Sequence, residues 1–497
     1  MNAVGARSAT FIERRGVVFP EGQVVLLFLV FGVVSALILA TIQQGSLNSV
    51  LLLGFVSIGG LVLCRNTQVS LNDPSLKILG YFWLIKLGLT VFLLYVGWMP
   101  QLDQATSVSW GFDPQRYYIQ AQELIDNNWS PDFISLNYVG VLYYYGAIYY
   151  VLGHNPVIPA LINAFVTLIA TLYLVKVGYE IKGERSDRDW TLAFALMLPE
   201  LLWFDVMTSR ETLVAALLLF AMLTTGRYLA RTATVSLFKV LIIGGLSVLS
   251  IAALRTSMLL PMIASIALMV LLIKPQRKWR VVQRTILAVI AAGALPLGTM
   301  FLTGYLGGYD FEVDKVLQAA ISANENIALT PGAEWSENSI GMLLLPEGLL
   351  QSILFLPPRM VLYLVAPLPN VFIPVSDLLA GGWGAWQKLF TLFSSVINVL
   401  AIPYAIASLI QSVKTRNANT APLVFHVSYW VTFIAIAGGN LIIHERYRVM
   451  ASLLLWGCAW LGARTCSKRQ IVRMSMLWYG LLALGALFYF TYKFVLA

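Results

Sequence analysis

The stretch "NYVGVLYYYGAIYYVLG", Asn137–Gly153, decides how this chain is threaded. It is apolar enough to cross a bilayer. If it crosses, the connection holding Lys176, Lys182, Arg185 and Arg188 lies on the opposite face from every other basic connection. Its six tyrosines, Tyr138, Tyr143, Tyr144, Tyr145, Tyr149 and Tyr150, argue for a different placement. Amphipathic rings collect at the water–lipid boundary. The stretch is therefore expected to lie as a helix on the outer interface.

The rest of the chain sets that choice in context. Of its 497 residues 59% are hydrophobic and 11% charged, and the mean hydropathy is +0.77. Soluble domains carry about 25% charged residues, so a wholly soluble protein is excluded. Apolar windows of the ~20 residues needed to span a bilayer recur along the chain. Membrane helices are expected near 22–42, 49–64, 78–97, 157–177, 190–207, 211–229, 236–254, 257–273, 286–303, 388–412, 421–443, 449–463 and 475–493. The first follows Arg14 and Arg15 and lacks a small-x-small cleavage site, so it is read as a retained helix. The region 341–377 is apolar but interrupted by six prolines. A helix pair, a re-entrant hairpin or an interfacial segment fits it better than a plain spanning helix. The fold class is all-α and polytopic, with about 11–14 transmembrane helices by this window reading.

Basic residues test the sidedness. Alternate connections carry Arg227, Arg231 and Lys239; Lys274, Arg277, Lys278, Arg280 and Arg284; Lys414 and Arg416; and Arg464, Lys468, Arg469 and Arg473. The two long loops are acidic instead: five acids against one arginine over 98–136, and six acids against one lysine over 304–340. By the positive-inside bias the basic connections face the cytoplasm. That bias also accounts for the formal charge of +9, with no need of nucleic acid as a partner. Five regions follow: N-terminal transmembrane helices (1–97), an outer loop with interfacial helices (98–156), a transmembrane core (157–303), an outer loop with the proline-broken segment (304–387) and C-terminal transmembrane helices (388–497). The three cysteines, Cys64, Cys458 and Cys466, imply no disulfide framework. Three histidines and scattered cysteines give no metal-ligand spacing.

Charged residues near membrane spans are costly and usually functional. On this topology they gather at the outer face: Asp113 and Arg116 in "GFDPQRYY", Glu200, Asp205, Arg210 and Glu211 around "FDVMTSRETL", Arg255 in "AALRTSMLLP", and His444, Glu445, Arg446 and Arg448 in "IIHERYRVM". Each also has a plainer use. Asp113-Pro114 is a good helix start, followed by an apolar stripe from Tyr117, Tyr118, Ala121, Leu124 and Ile125. Arg210 and Glu211 suit a surface pair of little energetic weight. The arginines of "HERYR", and Arg255, suit anchors to lipid phosphates. Glu200 suits a pairing inside the bundle. Lys86, in mid-span, has no evident role.

The order of these features resembles the GT-C superfamily of integral-membrane glycosyltransferases. That superfamily includes protein O-mannosyltransferases and lipid A aminoarabinose transferases, and Wzy-type polymerases share its general look. The resemblance covers roughly 78–260 and 421–465. It rests on the acid-bearing outer loop, the tyrosine-rich stretch ending "VLGHNPVIPALINAFVTLIATLYLVKVGYEIKG", the turn "TSRETL", the arginine after a further helix and the late "ERYR". It implies an acidic residue serving the acceptor hydroxyl, here Asp113, and a donor sugar carried on a polyprenyl phosphate. Basic side chains at outer helix ends, here Arg255, Arg446 and Arg448, would bind that phosphate. Arg116, Tyr117, Arg210, Glu211 and Glu445 are placed with them as substrate-binding residues. The acceptor would be a glycan, lipid or protein. Many members have two adjacent acids; here Asp103 lies ten residues before Asp113, which lends a divalent metal no support, and no cofactor is expected. The implied location is a bacterial inner membrane, with the site facing the periplasm or exterior. Two other readings stay open: a polymerase of lipid-linked repeat units, and a lipid-linked sugar transporter.

Overall fold

A computed structural model describes residues 47–66, 74–103, 113–131, 139–182, 190–230, 235–273, 349–365, 376, 378, 385–416, 419–439 and 445–491. They form helices throughout, with no strand among the described residues. In chain order these are α1 (Leu47–Asn66) and α2 (Pro74–Leu93), the latter continuing through a π-helical turn (Leu94–Trp98) and a short helix (Met99–Asp103). Then come α3 (Asp113–Asp126), α4 (Val139–Leu152) and α5 (Val157–Lys182). After a short helix (Trp190–Ala193) and a 3-10 turn (Phe194–Met197) follow α6 (Pro199–Val206), α7 (Glu211–Ala230), α8 (Leu237–Arg255) and α9 (Leu259–Leu272). The chain closes with α10 (Leu349–Val365), α11 (Ala385–Thr415), α12 (Leu423–Gly439), α13 (Val449–Thr465) and α14 (Lys468–Thr491).

Among the described residues seven stretches are long and apolar enough to cross a bilayer: Leu47–Cys64, Leu79–Trp98, Val157–Ile181, Glu211–Ala230, Leu237–Leu272, Ala385–Thr415 and Lys468–Phe488. This is a multi-pass, all-α membrane protein. The fifth stretch is two elements. An unbroken helix of 36 residues would run about 54 Å against a hydrocarbon core of about 30 Å. The chain breaks at Arg255, whose backbone is extended (φ −161°, ψ 84°), and a 3-10 turn at Thr256–Met258 separates α8 from α9. The expected spans near 22–42 and 286–303, and the 304–340 loop, lie outside the described residues.

Side-chain pairs fix which helix ends lie together. Arg255 at the end of α8 meets Glu211 at the start of α7, so these two run antiparallel. Arg227, late in α7, meets Glu180, late in α5, while Asn163, early in α5, reaches Met207 O just before α7; α5 and α7 run parallel. Arg448, just before α13, donates to Thr391 O early in α11, and Gly462 late in α13 abuts Tyr404; these run parallel too. One end of the bundle therefore gathers the starts of α1, α5, α7, α11 and α13 with the end of α8. The opposite end holds Arg227, Lys239, Lys414, Arg464, Lys468 and Arg469. Among the described residues, these basic side chains of the connections gather at that end.

The helical part of the tyrosine-rich stretch, Val139–Leu152, is too short by its length to span. As α4 it has 14 residues, about 21 Å of helix, short of the hydrocarbon core. All its anchor points are at the end away from the basic residues. Gly140 lies against the Ala253 carbonyl of α8, so close that a Cβ would collide with the backbone. Tyr145 Oη donates to Ser209 O at 2.7 Å, and Leu152 O accepts from Asn48 Nδ2 at 2.9 Å. α4 thus lies across that end of the bundle, with α3 packed on it.

One expectation is corrected. The span read over 190–207 is not one helix. Pro199 forces Leu198 into extended backbone (ψ 125°), so the segment becomes a short helix, a 3-10 turn and α6. Within 341–377, Leu349–Val365 form one helix, α10, that runs through Pro357 and Pro358; most of the rest of that region lies outside the described residues. Arg359 in α10 is buried and donates to Ala437 O of α12 at 3.0 Å, which ties this helix to its neighbour.

Candidate functional site

The α6–α7 turn, "MTSRE", is the floor of the site, and it is held from below. Asp205 accepts from Thr167 Oγ1 (2.9 Å) and Thr212 Oγ1 (2.8 Å) and forms an ion pair with Lys86. Lys86 also donates to Leu196 O at 3.2 Å. Asn163 Nδ2 donates to Met207 O, Ser209 Oγ to Phe204 O, and Tyr145 Oη to Ser209 O. Both members of the Lys86–Asp205 pair are fully buried, so each needs the other, because a lone buried charge is prohibitive. This gives Lys86 a role the sequence left blank: it neutralises the carboxylate that organises the turn.

On that turn stand Arg210 and Glu211. Glu211 Oε1 lies 3.2 Å from Arg255 Nη1, with both side chains nearly buried. Arg210 Nη1 donates to Leu254 O at 2.9 Å, and its guanidinium carbon lies 5.7 Å from the centre of the Tyr117 ring. Tyr117 is on the buried face of α3. At the start of α3, Asp113 Oδ2 accepts from Arg446 Nη1 at 2.8 Å across 333 positions of chain. Arg116 is one turn further along α3, close enough to act on the Asp113 charge.

Tyr447 completes the cluster, and the sequence reading missed it. It follows Arg446 in the 3-10 turn Glu445–Tyr447. Arg255 lies over its ring at 4.5 Å and Arg446 at 5.0 Å. Arg446 Nη2 also donates to its hydroxyl at 3.2 Å. The available signal was an aromatic residue between two arginines, a favourable cation–π setting.

Four distant segments, from α3, α7, the end of α8 and the turn before α13, therefore bring Asp113, Arg116, Tyr117, Arg210, Glu211, Arg255 and Arg446 together. Not every candidate joins them. Arg448, expected beside Arg446 as a phosphate ligand, is directed into the bundle. It is 2% exposed and bonds Glu200 Oε2 (2.9 Å), Ser395 Oγ (2.9 Å), Thr391 O (2.7 Å) and Tyr363 O (3.2 Å). Its donors are occupied in tying α6, α10, α11 and α13 together. Glu200, read as a bundle pairing, is that partner. Glu445 begins the 3-10 turn, but its side chain, like those of Asp103 and His444, lies outside the described residues.

The cluster carries an excess of positive charge. The described cluster has four arginines against two carboxylates. Burial pushes the Asp113 carboxyl up, but Arg446, Arg210 and Arg116 outweigh it and hold it below the usual carboxylate range. Burial also raises the Tyr447 phenol, yet Arg446 and Arg255 bring it below the ordinary tyrosine value. Among the described residues no three of His, Cys, Asp and Glu come together as metal ligands.

No family model matches the chain, and searches of characterised proteins and of solved structures return no match.

Proposed function

We propose that this chain is a membrane glycosyltransferase that moves a sugar from a polyprenyl-phosphate donor to an acceptor hydroxyl at the Asp113 end of the bundle. The observation that carries the reading is the Asp113–Arg446 pair within a cluster of three further arginines. A carboxylate beside an excess of guanidinium groups provides a proton acceptor and an anion clamp in one place.

The chemistry follows. The acceptor hydroxyl oxygen attacks the anomeric carbon, its proton passes to Asp113, and the carbon–oxygen bond to phosphate breaks with its electron pair on the phosphate oxygen. A phosphodiester anion thus becomes a phosphate monoester dianion. The added charge falls beside the guanidinium groups of Arg446 and Arg255, and stabilisation of charge that develops in the transition state is what accelerates such a step. Arg210 and Glu211 position the α3 face and Arg255. The donor carries its own activation and membrane anchor, so no nucleotide loop is needed.

The charge distribution also favours an enzyme over a transporter. A translocation path needs polar groups exposed through the bilayer depth. Among the described residues the buried ions within the bundle instead close on one another: Lys86 with Asp205 and Arg448 with Glu200. On this reading the location is an inner membrane of bacterial type, with the site facing away from the cytoplasm.

The test is turnover. Protein purified into nanodiscs is incubated with a lipid extract containing polyprenyl-phosphate sugars, and the lipids are followed by mass. Consumption of one such lipid, with release of the polyprenyl phosphate, is expected. A protein that binds no polyprenyl phosphate at all refutes the proposal.

A further inference from the structure

We propose that the exposed cations where α11 ends and α14 begins form a binding surface for an anionic phospholipid. Arg469 and Arg473 hold the headgroup phosphate, and an acyl chain lies along α14. The surface is at the other end of the bundle from Asp113 and stands independently of the glycosyltransferase reading.

Two hydrogen bonds set α11 and α14 side by side and antiparallel. Gln470 Nε2 donates to Gln411 Oε1 at 3.3 Å, and Trp478 Nε1 donates to Val399 O at 3.0 Å. The end of α11, with Lys414 and then Arg416, therefore stands beside the first turns of α14, with Lys468, Arg469 and Arg473. All five side chains are exposed. Over 385–497 the chain holds one acid, Glu445, and it sits in the turn before α13, at the Asp113 end. Arg469 and Arg473 are one helical turn apart, a like-charge pair that destabilises a helix unless an anion comes between them.

The same surface continues as hydrocarbon. Arg469, Arg473, Met476, Gly480, Leu484 and Leu487 recur at intervals of three and four, so they share one face of α14. Every one of them is exposed. A methyl group at Gly480 would meet no atom within 4 Å, so this face is open at mid-helix. Only 6% of the stretch Lys468–Phe488 is buried in the protein. From Arg473 to Leu487 the helix rises about 21 Å, more than the ~15 Å of one hydrocarbon leaflet. A soluble anion or an acidic peptide meets the cations and leaves that apolar face uncovered. A lipid with an anionic phosphate and a long acyl chain meets both. Arginine presents a planar fork of donors to phosphate, and basic residues bordering a membrane helix attract anionic lipids.

The probes are spin-labelled phosphatidylglycerol and spin-labelled phosphatidylcholine, each dilute in phosphatidylcholine nanodiscs holding the full chain. The immobilised fraction of each gives the relative affinity. A basic residue near an anionic surface contributes about fivefold, and residues that share one headgroup act together. Wild type is expected to prefer phosphatidylglycerol by about fivefold, and Lys468→Gln/Arg469→Gln/Arg473→Gln by less than about twofold. Arg469→Lys/Arg473→Lys keeps the charge and should keep most of the preference. Lys239→Gln removes an exposed cation of α8 at the same end and should leave the preference unchanged. High salt should weaken it in wild type.

Equal association of the two lipids with wild type overturns the proposal. So does a preference that the triple variant retains in full, that Lys239→Gln reduces as much, or that high salt leaves untouched. Wild type that shows no lipid preference but binds soluble polyglutamate through these cations assigns the surface to an acidic protein, and the lipid proposal falls. If the triple variant does not fold, Arg473→Gln alone and the salt series decide by the same criteria.

Discussion

Replacing Asp113 with asparagine is expected to strengthen binding of polyprenyl phosphate while removing transfer. Arg446 spends one terminal nitrogen on Asp113 at 2.8 Å, so an incoming phosphate competes with that carboxylate for the same guanidinium. The side chains are 19% and 21% exposed, between the limits of bulk water and protein interior. At about 4 Å a unit pair is worth about 1 kcal/mol in water and about 4 kcal/mol at an effective dielectric of about 20. Competition and side-chain entropy take back much of that, as they do for part-exposed pairs. A net gain of about 1.5 kcal/mol is a reasonable magnitude, or about tenfold in affinity. Asparagine keeps the size of the side chain and its ability to start α3, so the fold should survive. The assay is titration of wild type and variant with polyprenyl phosphate in nanodiscs, at low and high salt. The gain should shrink at high salt, where exposed charges are screened. Transfer, meanwhile, should fall by about 10²-fold or more through loss of the proton acceptor. Unchanged or weaker binding by a correctly folded Asp113→Asn protein would falsify the competition argument.

Three further outcomes follow from the same contacts. Arg448→Ala leaves Glu200 buried without its partner and should cost about 3–5 kcal/mol of stability, seen as an early thermal transition, while the folded fraction keeps wild-type affinity for polyprenyl phosphate; a large loss of affinity would return Arg448 to the site. Lys86→Met should destabilise by a similar amount and release the α6–α7 turn, whereas adding Asp205→Leu should recover part of that loss; a double variant no better than the single one excludes the pairing as the cause. The Asp113 carboxyl is held low in the folded state, so its contribution to stability is complete above the ordinary carboxylate range and disappears as pH falls through the depressed value. Acid melting curves of wild type should therefore lie above those of Asp113→Asn at neutral pH and converge with them only in strong acid; curves that coincide at every pH remove the Asp113–Arg446 pair from the stability account.

Much of the architecture was legible because lipid imposes a coarse code. Apolar run length marks the spans, and the basic connections mark one end. The tyrosines of Asn137–Gly153 identified a helix that stays at the other end, and α4 does so. Pro199 was also visible in the sequence, but the apolar run around it hid its effect on 190–207. The site was partly legible for the same reason: charges are scarce enough in this chain that those at one face stand out.

What the sequence lacked was direction. Arg446 and Arg448 are two residues apart, across the junction of a 3-10 turn and a helix. Neighbours at that spacing do not face the same way, so one arginine turns to Asp113 and the other to Glu200. Nothing local says which, because their partners lie 333 and 248 positions away. Lys86 is the same case: a lone mid-span lysine in sequence, and in space the counter-charge that lets Asp205 order the turn beneath Arg210 and Glu211. In this protein the buried ions serve two purposes that composition cannot separate. Where every hydrogen-bonding direction is taken up inside the bundle, as at Arg448, the ion holds helices together. Where two cations and a phenol converge beside a part-exposed carboxylate, as around Arg446, the glycosyltransferase proposal gives the same kind of group a substrate to meet.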